Sequence, residues 1–242
     1  MSAETNPYVV TASGLDVNAG TPGVGADSKY GSFRDIKGLG RVLGYLLLAC
    51  AVASALLGMA YVLYYSVLTT FEVDLNYARA EQVERALGGI AILVLVVYIA
   101  TFITFGMWTI RAMKNTWALN EAKHGGSDHL MSPVASLAWY FCPIANLWKP
   151  LQAVQQMRDV AFGLEKGMKL APWWWTWIIA RFLSRISGKL PLDTIDELMV
   201  SSMFDAVTSV IDIACAILAY FVITKMTRRQ QQLAAELEAS TV

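Results

Sequence analysis

Long uncharged runs divide the chain into apolar segments separated by short charged stretches. The first two runs contain 30 residues between Arg41 and Glu72 and 25 residues between Arg85 and Arg111. A helix needs about 20 apolar residues to cross a hydrocarbon core of about 30 Å. Both runs therefore predict membrane-spanning helices, which we place at about 42–68 and 87–110.

Two later apolar runs, 170–188 and 199–224, also carry ionisable residues. Each contains two of them: Arg181 and Arg185 in the first, Asp205 and Asp212 in the second. Both runs are long enough to cross a membrane, provided that these charges are paired or sheltered. We predict a span over each of them.

The uncharged segment 132–148 is interrupted by proline. Ser132 and Pro133 form a typical helix start, with serine as the N-cap and proline in the first turn. Pro143 lies inside the run and Pro150 follows it. Because a proline inside a helix removes a backbone donor and kinks or breaks the helix, we predict a broken helix here.

Basic residues in the connecting stretches distinguish two ways of threading the chain. If all five apolar segments cross, eight Lys and Arg residues lie on the side of the N-terminus and nine lie opposite. If 132–148 enters and returns on one side, the counts are 14 and three. Cytoplasmic loops of membrane proteins are enriched in Lys and Arg. We therefore predict four spans, both termini cytoplasmic, and a re-entrant or interfacial helix at 132–148; five spans are the alternative.

Residues 151–164 have the period of an amphipathic helix. Its apolar positions recur on one face: Ala153, Met157, Val160, Ala161 and Leu164. The glutamines and Asp159 fall elsewhere on the helical wheel. Such a helix either lies along the cytoplasmic membrane interface or packs its apolar face on the bundle, and both interpretations are open.

The predicted fold is all-α: an integral membrane helical bundle with polar segments at both ends. Residues 1–38 are polar and glycine-rich, which predicts a disordered cytoplasmic leader. Residues 39–228 form the membrane helical domain, and 229–242 form a cytoplasmic tail. Because the chain does not open with a basic patch and a short apolar core, we expect no cleavable signal peptide.

Tryptophans are concentrated where the third predicted span begins. The cluster consists of Trp173, Trp174, Trp175 and Trp177. Indole rings favour the headgroup level of a membrane, so the cluster predicts an interfacial aromatic belt. An aromatic cage for a quaternary ammonium ligand is the alternative.

The ionisable residues of the last two spans are spaced so that they can pair. An antiparallel hairpin turning near residues 193–195 places Arg181 opposite Asp212 and Arg185 opposite Asp205. A lone charge at the bilayer centre costs at least about 2.5–3.5 kcal/mol, so we predict two intramembrane ion pairs. They either lock the hairpin or form a polar site for an ion, a proton or an anionic solute. A contact between Arg181 and lipid phosphate is a third interpretation.

Composition narrows the function classes further. Hydrophobic residues make up 56% of the chain, charged residues 16%, and the net charge is +0. This combination argues against a soluble domain and against a nucleic-acid partner, which would require a basic surface. We expect the lipid bilayer as one partner and a membrane or cytoplasmic protein as another.

No residue pattern predicts catalysis, a cofactor or a metal. The three cysteines lie far apart in apolar runs, and His124 and His129 are separated by a Gly-Gly pair at a spacing unsuited to one helix face. We expect a non-enzymatic membrane module that binds a partner or lipid. The alternative is a small transporter or channel that uses the intramembrane Arg and Asp residues, and an enzyme is the third.

The middle of the chain resembles the domain of unknown function 4328 family. The similarity is carried by RAMKNTWAL from Arg111, SPVASLAWYFCPIANLWKPLQAVQQM from Ser132 and PWWWTWIIARFLSRIS from Pro172. It covers roughly residues 40–230 and implies a bacterial multi-pass membrane protein without an assigned activity. The chain departs from the family pattern at Gln156-Met157-Arg158, where an acidic residue followed by Leu/Ile-Trp is expected.

Overall fold

In the computed structural model, residues 23–74, 77–163 and 168–240 are described, and they form helices joined by short connections. There are six α-helices in this part of the chain: α1 Lys37–Asp74, α2 Tyr77–His124, α3 Pro133–Ala138, α4 Lys149–Phe162, α5 Ala171–Ser187 and α6 Ile195–Ser240. Two 3₁₀ turns, Trp139–Phe141 and Ala145–Leu147, lie between α3 and α4. The predicted all-α class is confirmed.

Three of the helices are long and apolar enough to cross a membrane. These segments are Lys37–Thr70 in α1, Glu81–His124 in α2 and Ile195–Ser240 in α6. They contain the predicted spans 42–68, 87–110 and 199–224. The fourth predicted span, 170–188, corresponds to α5, which has 17 residues.

Glycines allow α1 and α6 to pack closely. A Cβ at Gly40 would lie 2.6 Å from Thr227 Oγ1, and one at Gly58 would lie 3.0 Å from Ser209 Cβ. Gly44 lies beside Tyr220 in the same way. Because rising numbers on α1 meet falling numbers on α6, the two helices are antiparallel.

α2 and α5 are each antiparallel to one helix of this pair. Ser54 of α1 contacts Tyr98 of α2, and Cys50 contacts Thr101, so α2 is antiparallel to α1. α5 is antiparallel to α6, since Arg181 contacts Asp212 and Ser187 contacts Asp205. Both the α1–α2 and α5–α6 connections therefore lie at one end of the bundle, which we call the tip. The opposite end, with residues 23–36 and the last turns of α6, is the base.

The base has a densely packed interior in which the side chains of several helices meet. The side chains of Trp108, Met113, Met157 and Met226 are at most 1% exposed. Gln230, also fully buried, donates from Nε2 to Ala112 O at 3.1 Å and to Thr116 Oγ1 at 3.0 Å. The predicted tail 229–242 is therefore, as far as Ser240, a continuation of α6 packed on α2.

The predicted disorder of the leader is wrong from Gly23 onward. Val24 and Ile36 are buried, and the ring of Tyr30 packs edge-on against Trp117 at 4.8 Å. These few contacts join residues distant in sequence, which is why composition did not indicate them. Residues 1–22 lie outside the described part of the chain.

The segment 132–148 leaves the base and comes back to it. Trp117 Nε1 donates to Met131 O just before α3, and Phe141 then packs against Phe102 at 5.8 Å. Phe102 precedes Trp117 by 15 residues, or about 22 Å along a helix. In α4 the chain is again beside Met131, whose backbone N–H donates to Gln156 Oε1 at 2.9 Å.

Proline ends the helical path where the sequence predicts a break. Cys142 is extended and Pro143 follows it, while Pro150 occupies the first turn of α4. Neighbouring helices leave the residues beside this break largely uncovered, since Phe141 and Ile144 are 65% and 72% exposed. Local 3₁₀ hydrogen bonds, such as Leu147 N–H to Ile144 O at 3.1 Å, satisfy backbone groups instead.

The amphipathic helix packs on the bundle. Its apolar face, including Ala153, Met157 and Ala161, is buried against other helices. At its end Arg229 Nε of α6 donates to Ala161 O at 3.0 Å. Of the two interpretations of residues 151–164, this contact pattern corresponds to packing on the bundle. Leu164 lies outside the described residues.

Candidate functional site

Arg181 of α5 and Asp212 of α6 meet within the apolar stretch of the bundle. Arg181 Nη2 donates to Asp212 Oδ1 at 3.5 Å, a long contact. The Arg181 side chain is 50% exposed and that of Asp212 is 18% exposed. The carboxylate is therefore sheltered between helices, whereas half of the Arg181 side chain is exposed.

The second predicted pair is not formed. Asp205 accepts a short hydrogen bond from the Ser187 hydroxyl, and no ion pair of Arg185 occurs among the described residues. Arg185 is exposed. Spacing along the chain places residues at the same depth but does not fix which way each points around its helix. Here Ser187, two residues after Arg185, turns toward Asp205.

Two further polar contacts join α1 to α2 at a similar depth. The hydroxyls of Ser54 and Tyr98 lie 3.0 Å apart. Thr101 Oγ1 lies 3.1 Å from Cys50 Sγ and also donates to Val97 O at 2.7 Å. The Cys50 thiol is thus the donor to Thr101.

The two sets of contacts lie close in height along the bundle. Ser54 and Ile213 line the same groove between α1 and α6, and Asp212 precedes Ile213. We call this set the polar layer: Cys50, Ser54, Tyr98, Thr101, Arg181 and Asp212. Each of α1, α2, α5 and α6 contributes to it. Sequence reasoning found only its charged members, because a single hydroxyl or thiol in an apolar run is not distinctive.

The tryptophan cluster is divided between the interior and the surface. Trp173 and Trp174 are buried in the main core, at 5% and 3% exposure, whereas Trp175 is 62% exposed. Trp177 is half-buried and stacks on Trp174, with ring centroids 5.0 Å apart. The start of α5 therefore turns Trp173 and Trp174 toward the core, and the position of the cluster at a membrane interface stays a prediction.

Three surface grooves run along the helices of the described chain. One of about 550 Å³ lies at the base between α1 and α6, and one of about 710 Å³ lies higher on the same helix pair. A third, of about 550 Å³, separates α5 from α6 near Lys169 and Lys225. None of the three is lined by Arg181, Arg185, Asp205 or Asp212.

The described part of the chain brings together no set of side chains typical of a metal centre. Within the described residues, no three His, Cys, Asp or Glu side chains come together. His124 and His129 are both exposed near the base. The chemistry available at the polar layer is hydrogen bonding and ion pairing.

Comparison with known proteins identifies a family and nothing more specific. Residues 72–228 match the family model described as "Domain of unknown function (DUF4328)". No curated protein and no solved structure matches the chain. Since the match covers well over half of the 242 residues, the chain belongs to this family of unknown function.

Proposed function

We propose that this protein is a non-enzymatic module of a bacterial inner membrane that binds a lipid or protein partner at its base. In this proposal the chain crosses the membrane four times, through α1, α2, α5 and α6. The base faces the cytoplasm, with both termini.

The directions of the helices support four crossings. α5 runs beside α6 over the stretch from Asp205 to Asp212 and beyond, so it occupies the same depth as the apolar part of α6. The connections at the tip carry three basic residues, and the sequences at the base carry 14. This distribution matches the cytoplasmic enrichment of Lys and Arg.

The path of residues 132–148 supports a re-entrant segment. Phe102, the partner of Phe141, precedes Arg111 by nine residues, or about 13 Å of helix. The segment would therefore reach nearly half the depth of a hydrocarbon core of about 30 Å before returning to the base.

The observation that carries a binding function is that open grooves lie on the outside of the bundle. Described polar-layer groups contact one another, while the three grooves lie along the outer surfaces of helices. A transport path would need polar space through the bundle, whereas a binding module needs accessible surface around a rigid core.

A small transporter or channel is the second candidate. It is favoured by one observation: Arg181, half exposed at membrane depth, is unusual unless it serves an ion, a solute or a partner. In that case Asp212 would be the residue on which transport depends.

Ion flux into proteoliposomes distinguishes the two functions. Purified full-length protein is reconstituted into vesicles containing a pH-sensitive or a chloride-sensitive dye, and a gradient is imposed. A binding module gives the same flux as protein-free vesicles. Flux above that level that is abolished by Asp212→Asn would contradict the module and establish the transporter.

A further inference from the structure

The groove at the base between α1 and α6 has the chemistry of an anion site at a membrane boundary. Three cationic side chains line it: Lys37, Arg41 and Arg228. All three are exposed, and none forms an ion pair among the described residues. No carboxylate belongs to the groove lining.

One carboxylate, that of Asp35, lies nearby, and it already accepts two hydrogen bonds. Asp35 Oδ1 accepts from the backbone N–H of Lys37 at 2.7 Å and from Gln231 Nε2 at 2.8 Å. These bonds hold Asp35 against the start of α1 and leave the three cations without a carboxylate partner within 4 Å. The groove is therefore electropositive.

Glycine shapes the floor of this groove. Gly40 and Gly44 present no side chains toward α6, so Thr227 and Tyr220 approach the α1 backbone directly. These four residues line the groove of about 550 Å³ together with the three cations. A tetrahedral oxyanion can enter such a hollow and meet guanidinium groups from both helices.

Above the groove, toward the tip, the same faces of both helices become apolar and exposed. The side chains that form this wall are Tyr45, Leu48, Val52 and Ile217, each at least 39% exposed. Val52 follows Arg41 by 11 residues, or about 16 Å of helix. This length matches one leaflet of a hydrocarbon core of about 30 Å.

We propose that the groove binds an anionic phospholipid of the leaflet at the base, with its phosphate between Arg41 and Arg228 and its acyl chains on the apolar wall. The proposal rests on the function given above, because it requires that the base lie at a leaflet surface. Charge complementarity and the adjoining apolar wall together select a lipid over a soluble anion. The proposed partner is therefore an anionic phospholipid.

Native mass spectrometry of the full-length protein tests the site. The protein is released from mixed micelles with equal amounts of phosphatidylglycerol and phosphatidylcholine, and the lipid-bound fractions are compared. The groove variant is Arg41→Gln/Arg228→Gln. The control, Arg111→Gln/Lys123→Gln, removes the same charge from base residues outside the groove. Unchanged elution on size exclusion shows that each variant is folded.

We expect the native chain to retain phosphatidylglycerol preferentially. The groove variant should lose roughly thirty-fold in this preference. The control should change by no more than about twofold, because neither of its residues lines the groove and solvent-exposed charges are screened. Equal losses in both variants, or no loss in either, would overturn the site. Displacement of the lipid by equimolar glycerophosphoglycerol would also overturn it, since a soluble anion would then suffice.

Failure of this site and failure of the proposed function give different results. A chain without headgroup preference that conducts no ions would refute the lipid site alone. Dye-detected flux would refute the module regardless of which lipid is retained.

Discussion

Asn115 of α2 and Arg34 of the N-terminal segment are joined by two hydrogen bonds that run in opposite directions. The Arg34 backbone N–H donates to Asn115 Oδ1 at 3.1 Å, and Asn115 Nδ2 donates to Arg34 O at 2.8 Å. Asn115 is 1% exposed. A side-chain amide can satisfy a backbone donor and acceptor together, so one residue attaches the segment before α1 to the base.

Replacement of Asn115 by Asp should release this segment. The carboxylate keeps the acceptor but loses the donor to Arg34 O, and an unsatisfied buried carbonyl costs about 1–3 kcal/mol. We expect trypsin to cleave after the exposed Lys29 roughly tenfold faster, in proportion to the opening of the segment. Gln152→Glu adds the same charge at an exposed position of α4 and should leave the rate unchanged. Equal rates in the two variants would refute the attachment.

Alanine substitutions at Gly25 and Gly31 allow the stability cost of backbone strain to be measured separately from that of steric overlap. Both have positive φ, +66° and +87°, but a Cβ at Gly25 would lie 2.3 Å from Ala118 O, whereas one at Gly31 would meet no atom within 4 Å. Gly31→Ala should cost only the left-handed conformation, about 1–2 kcal/mol. Gly25→Ala should lower the unfolding temperature further, because the segment must move off α2. Tryptophan fluorescence during thermal unfolding measures both, and equal shifts would contradict the contact.

Gly40→Ala should weaken the α1–α6 contact. The new methyl group would displace Thr227, whose Oγ1 accepts from the buried Trp108 Nε1 at 2.9 Å. Loss of that partner costs about 1–3 kcal/mol. Gly38→Ala, two residues earlier and with no atom within 4 Å of the new Cβ, should be neutral or stabilising by up to about 1 kcal/mol. The comparison is made by thermal unfolding in detergent, and it fails if both variants behave alike.

Exchange of charges between α5 and α6 should rescue one pair and not the other. Asp212→Arg places two cations together at membrane depth, at a cost of at least about 2.5–3.5 kcal/mol, and should abolish accumulation in the membrane. Adding Arg181→Asp should restore it. The exchange of Arg185 and Asp205 should give no rescue, because Asp205 bonds to Ser187. Immunoblots of membrane fractions measure the outcome, and a double variant at positions 181 and 212 no better than the single would refute the pair.

The sequence was most informative where a signal is local. Uncharged runs predict α1 and α2 because length and apolarity alone determine whether a helix suits a bilayer. Pro143 predicts the break after Cys142 because proline acts on its own backbone. These features depend on no distant residue.

Features that depend on distant contacts were not predictable. Val24 and Ile36 are isolated apolar residues in a polar leader, and only their contacts at the base explain their burial. Tryptophan is typical of membrane interfaces, yet the position of Trp174 on α5 turns its side chain inward. Ser187 partners Asp205 because of how α5 rotates against α6, which spacing along the chain does not specify.

Four crossings require that residues 132–148 leave the base and return to it. Cysteines are introduced one at a time as Lys123→Cys, Lys169→Cys and Lys189→Cys, all at exposed positions, in a background whose native cysteines are replaced by alanine. Intact cells are treated with a membrane-impermeant maleimide. We predict labelling at position 189 from outside, and at 123 and 169 only after permeabilisation. Labelling at position 169 from outside, with 123 still protected, would show that the segment crosses the membrane and would contradict the account.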